Sequence, residues 1–231
     1  MQKWVTNRLT LHGAEQEEID KVFDFLKGED CEVDFNKIIP MPLELRDTEI
    51  GNEAECAWAY YLAKEFGNYT EIDKMLMYTW VKGEEITTRK DLLDFLLEEQ
   101  DGIYEMGKEL YRLDTLYGFH DWYDWYDWSM EYWRTTVNAC DARREGNIIE
   151  FETIWLGVPY LMRIVSERFP NVTLDYEFAD EYFGYHVGRY TFMAGIVMAE
   201  YEPADNTIES KQLAKSILGW EPPVDFDDDV A

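Results

Sequence analysis

Three Asp-Trp pairs repeat every three residues, Asp121-Trp122, Asp124-Trp125 and Asp127-Trp128, and Glu131 follows about one turn later. Carboxylates beside indole rings can hold arginine in two ways at once, by charge-assisted hydrogen bonds and by cation–π stacking. On a helix a three-residue repeat drifts by about 60° per step, so the Asp spread over about 120° and the Trp form a neighbouring stripe. The same spacing suits a Trp stripe buried against a sheet with its Asp stripe in water, since aromatic stripes at helical period usually belong to a core. Three carboxylates could also hold a hard cation, yet they match no recognised loop pattern. Asp225, Asp227, Asp228 and Asp229 form a second acidic cluster. They read as a solubilising tail or as an acidic arm competing for a basic groove.

Other candidates for chemistry fall short. Gly102-Ile103-Tyr104-Glu105-Met106-Gly107-Lys108 matches the start of a phosphate-binding loop, but Glu109 replaces the Ser or Thr that would hold magnesium. Glu105 would also set a charge against phosphate, and the preceding Leu92–Gln100 run has helical rather than strand character. His12, His120 and His186 are scattered, and no Ser or Cys sits beside any of them. Cys31, Cys56 and Cys140 form neither a CxxC pair nor a metal pattern, as expected of reduced thiols in a cytoplasmic protein. No catalytic residue, cofactor or metal is expected.

The overall balance gives a stronger signal than any motif. With 49 Asp and Glu against 21 Lys and Arg, the net charge is −28, and every segment shares in it. Such a surface repels nucleic acid and anionic membranes and favours basic partners at long range. A hydrophobic content of 46% with 16% aromatics argues against disorder. No run of 18 apolar residues and no signal-like N-terminus is present.

The elements that must position these residues follow from periodicity. Val5, Leu9 and Leu11 alternate with Thr6, Arg8 and Thr10, predicting a half-buried strand. Ile19, Val22, Phe23 and Leu26 mark one face of a helix ending near Gly28. Val33 and Phe35 predict a second strand closed by Pro40 and Pro42, which completes a β-α-β unit within residues 1–42. Residues 43–118 read as an inserted helical subdomain, with capping boxes at Thr70–Asp73 and Thr88–Asp91. Over 119–202 strands are expected at Ile148–Trp155, Val172–Phe178 and within Tyr185–Tyr201, with a helix between Pro159 and Phe169. Residues 203–231 form an acidic extension with a short helix around Leu213–Leu218. The class is α+β: a ferredoxin-like βαβ…βαβ antiparallel sheet with a large helical insertion in its middle connection.

Several phrases resemble a known family. Trp4-x-x-Asn7-x-Leu9-x-Leu11-x-Gly13 and Phe35-Asn36-Lys37-Ile38-Ile39-Pro40-Met41-Pro42 are similar to the opening of the Api92-like or YubB-like ferredoxin-domain family of phages and plasmids. Tyr132-Trp133-Arg134-Thr135-Thr136-Val137-Asn138-Ala139 resembles its central motif, usually close to Asn-Trp-Gly-Thr-Lys-Trp-Asn-Ala. This chain departs from it at Arg134, Thr136 and Val137, and the family's Trp-Ser-Pro-Pro turn appears as Trp155-Leu156-Gly157-Val158-Pro159. The resemblance implies the fold and a mobile-element origin more firmly than an activity.

Charge and resemblance together set two expectations. The first is an inhibitor from a mobile element that occupies the basic surface of a host nucleic-acid-handling or defence factor, such as a CRISPR effector, by nucleic-acid mimicry. Its contact residues would come from the Asp-Trp run, Glu131 and the acidic tail, without direct contact to nucleic acid or membrane. The second is an enzyme or small-ligand binder with a pocket between sheet and insertion, which the resemblance would line with Trp133, Arg134, Asn138 and Trp155.

Overall fold

The computed structural model describes residues 3–46, 52–83, 86–117 and 125–220. Along the chain come β1 (Trp4–His12), α1 (Gln16–Leu26), α2 (Phe35–Ile38) and a 3-10 turn at Leu43–Leu45. Then follow α3 (Asn52–Phe66), α4 (Thr70–Met75), α5 (Thr79–Gly83), α6 (Arg89–Glu99), α7 (Ile103–Tyr117) and α8 (Trp125–Tyr132). The chain continues through β2 (Cys140–Glu145), β3 (Ile148–Ile154), α9 (Pro159–Arg168), β4 (Thr173–Asp180), β5 (Val187–Met193), β6 (Ile196–Tyr201) and α10 (Ile208–Leu218). Two compact units divide it: Met1–Pro40 with Ser129–Ala231, and Met41–Trp128.

The first unit holds one antiparallel sheet in the order β2-β3-β1-β4-β5-β6. Its first four strands, with α1 and α9, interleave two βαβ halves in the ferredoxin-like manner, and the β5–β6 hairpin widens the sheet beyond β4. Alternation dictates the faces. Val5, Asn7, Leu9 and Leu11 of β1 are buried, while Trp4, Thr6, Arg8 and Thr10 between them are half-buried. The α+β class is as expected, but one strand is elsewhere. Val33 and Phe35 are fully buried, yet they form no strand; Asp34 instead caps α2 by accepting from the Asn36 N–H at 2.9 Å. A short Asp-centred turn outcompetes the ladder there, because its side chain offers the backbone a local partner. The second strand of the sheet is therefore β2, about a hundred residues later. The large insertion accordingly lies between α1 and β2, not after a first half closed within residues 1–42, and β2 runs into β3 through the short Gly146-Asn147 turn.

The second unit is helical around a core that includes Ala57, Ile72, Met75, Leu92 and Ile103. Helices α3 and α7 pack so closely at Gly107 that a Cβ there would run into the Ala57 carbonyl. The phosphate-loop look of Gly102–Lys108 thus has a packing cause, since Gly107 lies inside α7. Thr88 caps α6 as expected, accepting from the Asp91 N–H. The Thr70 box does not form; Asn68, two residues earlier, accepts from the Thr70 N–H at 3.1 Å. With cations scarce, carboxylates here take phenol donors. Tyr78 donates to Glu55 and Tyr104 to Glu65, and these bonds push both phenol pKa values up to about 12.

Candidate functional site

The centre of the sheet is held by polar groups that are all spent on structure. Asn7 is fully buried; its amide donates to the Val5 carbonyl (2.8 Å) and to Thr153 Oγ1 (2.9 Å). Its carbonyl accepts from the Tyr176 hydroxyl, which in turn accepts from the Val158 N–H at 2.6 Å. Thr153 closes the set by donating to the Leu156 carbonyl. Burial drives the Tyr176 pKa upward, so the phenol stays protonated and the network stays satisfied. This network ties the Trp155–Pro159 turn to the sheet.

A second set clasps the two segments that flank the insertion. Asn138 Oδ1 accepts from the Phe35 and Ala139 N–H groups, and its amide donates to Asp34. The Trp133 indole donates to the Ile39 carbonyl at 2.9 Å, and its ring meets Phe35 edge-on at 5.8 Å. Thr135 brackets Ile154, accepting from its N–H and donating to its carbonyl. Arg134 adopts φ +64, a left-handed conformation that favours glycine, at the position where the family motif usually carries Gly. Trp155 likewise has φ +73 and is 40% exposed, and Arg134 pairs with Glu131 at 3.6 Å. Trp133 and Asn138 are thus brought together as a clasp. None of the four resemblance-derived residues lines the three grooves described below.

Of the Asp-Trp run, α8 carries Trp125, Asp127 and Trp128, with Trp128 buried and Glu131 exposed one turn on. Asp121, Trp122 and Asp124 lie outside the described residues, as do Asp225, Asp227, Asp228, Asp229 and His120.

The residues that sequence reasoning did not single out sit on the open face of the sheet, opposite α9. Helix α10 covers part of it, packing Leu213, Ala214 and Ile217 on Ala179 and Val187. Arg8 reaches the end of α10, donating to the Ser216 and Ile217 carbonyls, where cations suit the helix terminus. The same guanidinium binds Glu150 at 2.7 Å and lies 3.7 Å from Glu177. Beside it Asp175 accepts from Thr191 at 2.7 Å and meets His12 at 2.8 Å. Partial burial, then Asp141 and Glu181, push the Glu152 carboxyl pKa upward, against a smaller downward pull from Arg143. A groove of about 580 Å³ opens here, lined by Thr10, Asp175, Glu177, Arg189, Thr191 and Tyr201 among others. The pattern was present in β1 and β4 as Arg8, Asp175 and Glu177 alternating with apolar residues, but alternation alone marks a wet face without showing its charge.

Two smaller grooves of about 280 and 490 Å³ lie in the helical unit, around Cys56 and Trp80 and around Tyr61 and Arg112. Burial raises the Cys56 thiol pKa to about 12, which leaves it a poor nucleophile. Among the described residues no group of three His, Cys, Asp or Glu is arranged to hold a metal ion. None of their helices is long and apolar enough to cross a membrane.

No curated protein matches this chain. The crystal structure of protein api92 from Yersinia pseudotuberculosis aligns over 90% of this chain and 100% of its own, with 9% identity and a TM-score of 0.41. Residues 128–221, which carry β2 to β6 with α9 and α10, match the model of the ferredoxin-like domain in Api92-like proteins. Over those residues the chain is similar to the Api92-like family.

Proposed function

We propose that this protein is an acidic binding protein of a mobile element, a phage or a plasmid. It acts in the host cytoplasm by occupying the basic surface of a nucleic-acid-handling or defence factor, a CRISPR effector being one such target. The observation that carries this reading is the charge state of the open sheet face. Glu150 and Glu177 share one arginine, Glu152 is crowded by further carboxylates, and at least 28 carboxylates in the chain have no Lys or Arg of their own. Sheets of this kind can read RNA when such a face offers aromatics and cations. Rigidly held carboxylates on the same face suit an Arg- or Lys-lined cleft instead.

The test is a pulldown from host lysate with the full chain and with a variant reversed at Glu150, Glu152, Asp175 and Glu177 to Lys. Capture of a basic nucleic-acid-binding factor by the parent chain, steeply weakened by salt and lost in the reversed variant, is the expected result. Equal capture by both chains would overturn the proposal.

A further inference from the structure

Among the described residues the sheet ends at β6, and that edge lacks most of the features that keep edges inert. Ile196 and Met198 are each 61% exposed, and Val197, Met193 and Tyr201 add to the same apolar strip. All six residues of β6 are exposed, and the strand contains neither Lys nor Pro. A one-residue bulge at Met198 is the one interruption of its pairing with β5. The hairpin beneath is firm. Ala194 and Gly195 both take positive φ, as a tight two-residue turn requires, and the Gly195 N–H donates to Ser166 of α9.

Carboxylates flank this apolar edge on the face that α9 covers, while on the open face Arg189 of β5 lies over the Tyr201 ring between the edge and the acids of β4. Glu202 accepts the Tyr190 hydroxyl at 2.5 Å, with Glu200 close to the same phenol, on the face that α9 covers. Glu167 packs against Gly195 at the turn. On the open face the groove with Asp175 and Glu177 runs up to Tyr201.

We infer that β6 is a docking edge for an extended, basic segment of the partner protein, which adds to the sheet as a seventh, main-chain-paired strand. Main-chain hydrogen bonds would supply affinity, the apolar strip would pack alternate side chains, and Lys or Arg would meet the flanking carboxylates. A second copy of this chain fits the edge poorly, because it would bring the same acidic flanks and another net charge of −28. The inference rests on the reading of the protein as a binder of basic partners, and adds where and how that partner is held.

The experiment uses the full chain and a fluorescent decapeptide of alternating Lys and Val. Its controls are the same peptide N-methylated at alternate amides and a Glu-Val counterpart. Binding of the Lys-Val peptide is expected, with slowed amide exchange at Ile196–Tyr201 and at least tenfold weakening by N-methylation or by Ile196→Lys with Met198→Lys. Both substituted side chains are exposed, so a matched melting temperature confirms that the variant folds. Equal binding of the methylated peptide, or binding without protection of β6, would overturn strand addition while leaving a purely electrostatic binder standing. Protection of β6 that grows with protein concentration in the absence of peptide would assign the edge to self-association and overturn the inference. No binding of the Lys-Val peptide even at low salt would count against both readings.

Discussion

Along β2 the outer edge of the sheet carries Asp141, Arg143, Arg144 and Glu145 and a register break between Cys140 and Arg143, whereas β6 carries Ile196, Val197 and Met198. Charges and bulges are the usual means of blunting an edge. On β2 they act together with the Asn138 clasp just before the strand, and Arg144 is drawn inward over the Phe23 ring and onto Asp20. On β6 the bulge and Glu200 are the blunting features, and Ile196, Val197 and Met198 are apolar. The contrast separates a strand closed for stability from one left open, within a single hydrogen-bonded sheet.

Loosening the shared centre should affect both edges together. Asn7→Ala removes the acceptor of the buried Tyr176 hydroxyl and one partner of Thr153, at a cost of about 3 kcal/mol for two buried groups left short of a partner. The urea midpoint should fall and amide exchange should quicken at β2 and β6 alike; loosening of one edge alone would break the comparison. Asn138→Ala strikes the β2 side only. It frees the Phe35 and Ala139 N–H groups and Asp34, for about 1–2 kcal/mol. Exchange should rise at 34–39 and 133–145 while β6 keeps its rate.

The smallest effect is a pH dependence confined to the β6 side. His186 precedes β5, accepts the Gly157 N–H on its ring, and is held below its ordinary pKa by burial, against the upward pull of Asp180, Glu202 and Asp205. Above its ordinary value of 6.5 the ring is neutral in both the folded and the unfolded chain, so it adds no pH dependence. As pH falls through that value the unfolded chain takes up a proton that the native ring resists, and stability declines until the native ring also titrates. Protection of the β5 and β6 amides, taken relative to their intrinsic exchange rates, should therefore fall on mild acidification before that of β2; β2 contains no histidine. A fall in stability of the same slope in His186→Gln would remove this histidine from the account.

Much of the sheet was legible because period-two alternation is a local property. The Val5-Leu9-Leu11 and Leu174-Tyr176-Phe178 patterns each became a strand with those residues buried. Val33 and Phe35 show the limit of such reading. Two buried residues two apart suit a strand and a capped turn equally, and Asp34 decided for the turn. The candidate site was hardly legible, since its members come from strands far apart in the chain. Glu150 and Glu177 meet at Arg8 only because β3 and β4 flank β1.

Composition alone established that carboxylates exceed cations by 28, and periodicity alone established an α+β chain with enough apolar surface to fold around a sheet. Strand order was the decision of the tertiary structure. It set β3 beside β1 with β2 outside β3 across a helical insertion, turned Asn7, Trp133 and Asn138 into structural fasteners, and left β6 at the edge opposite β2. The reason is physical: charge and hydropathy accumulate residue by residue, whereas an edge exists only once every other strand has found its neighbour.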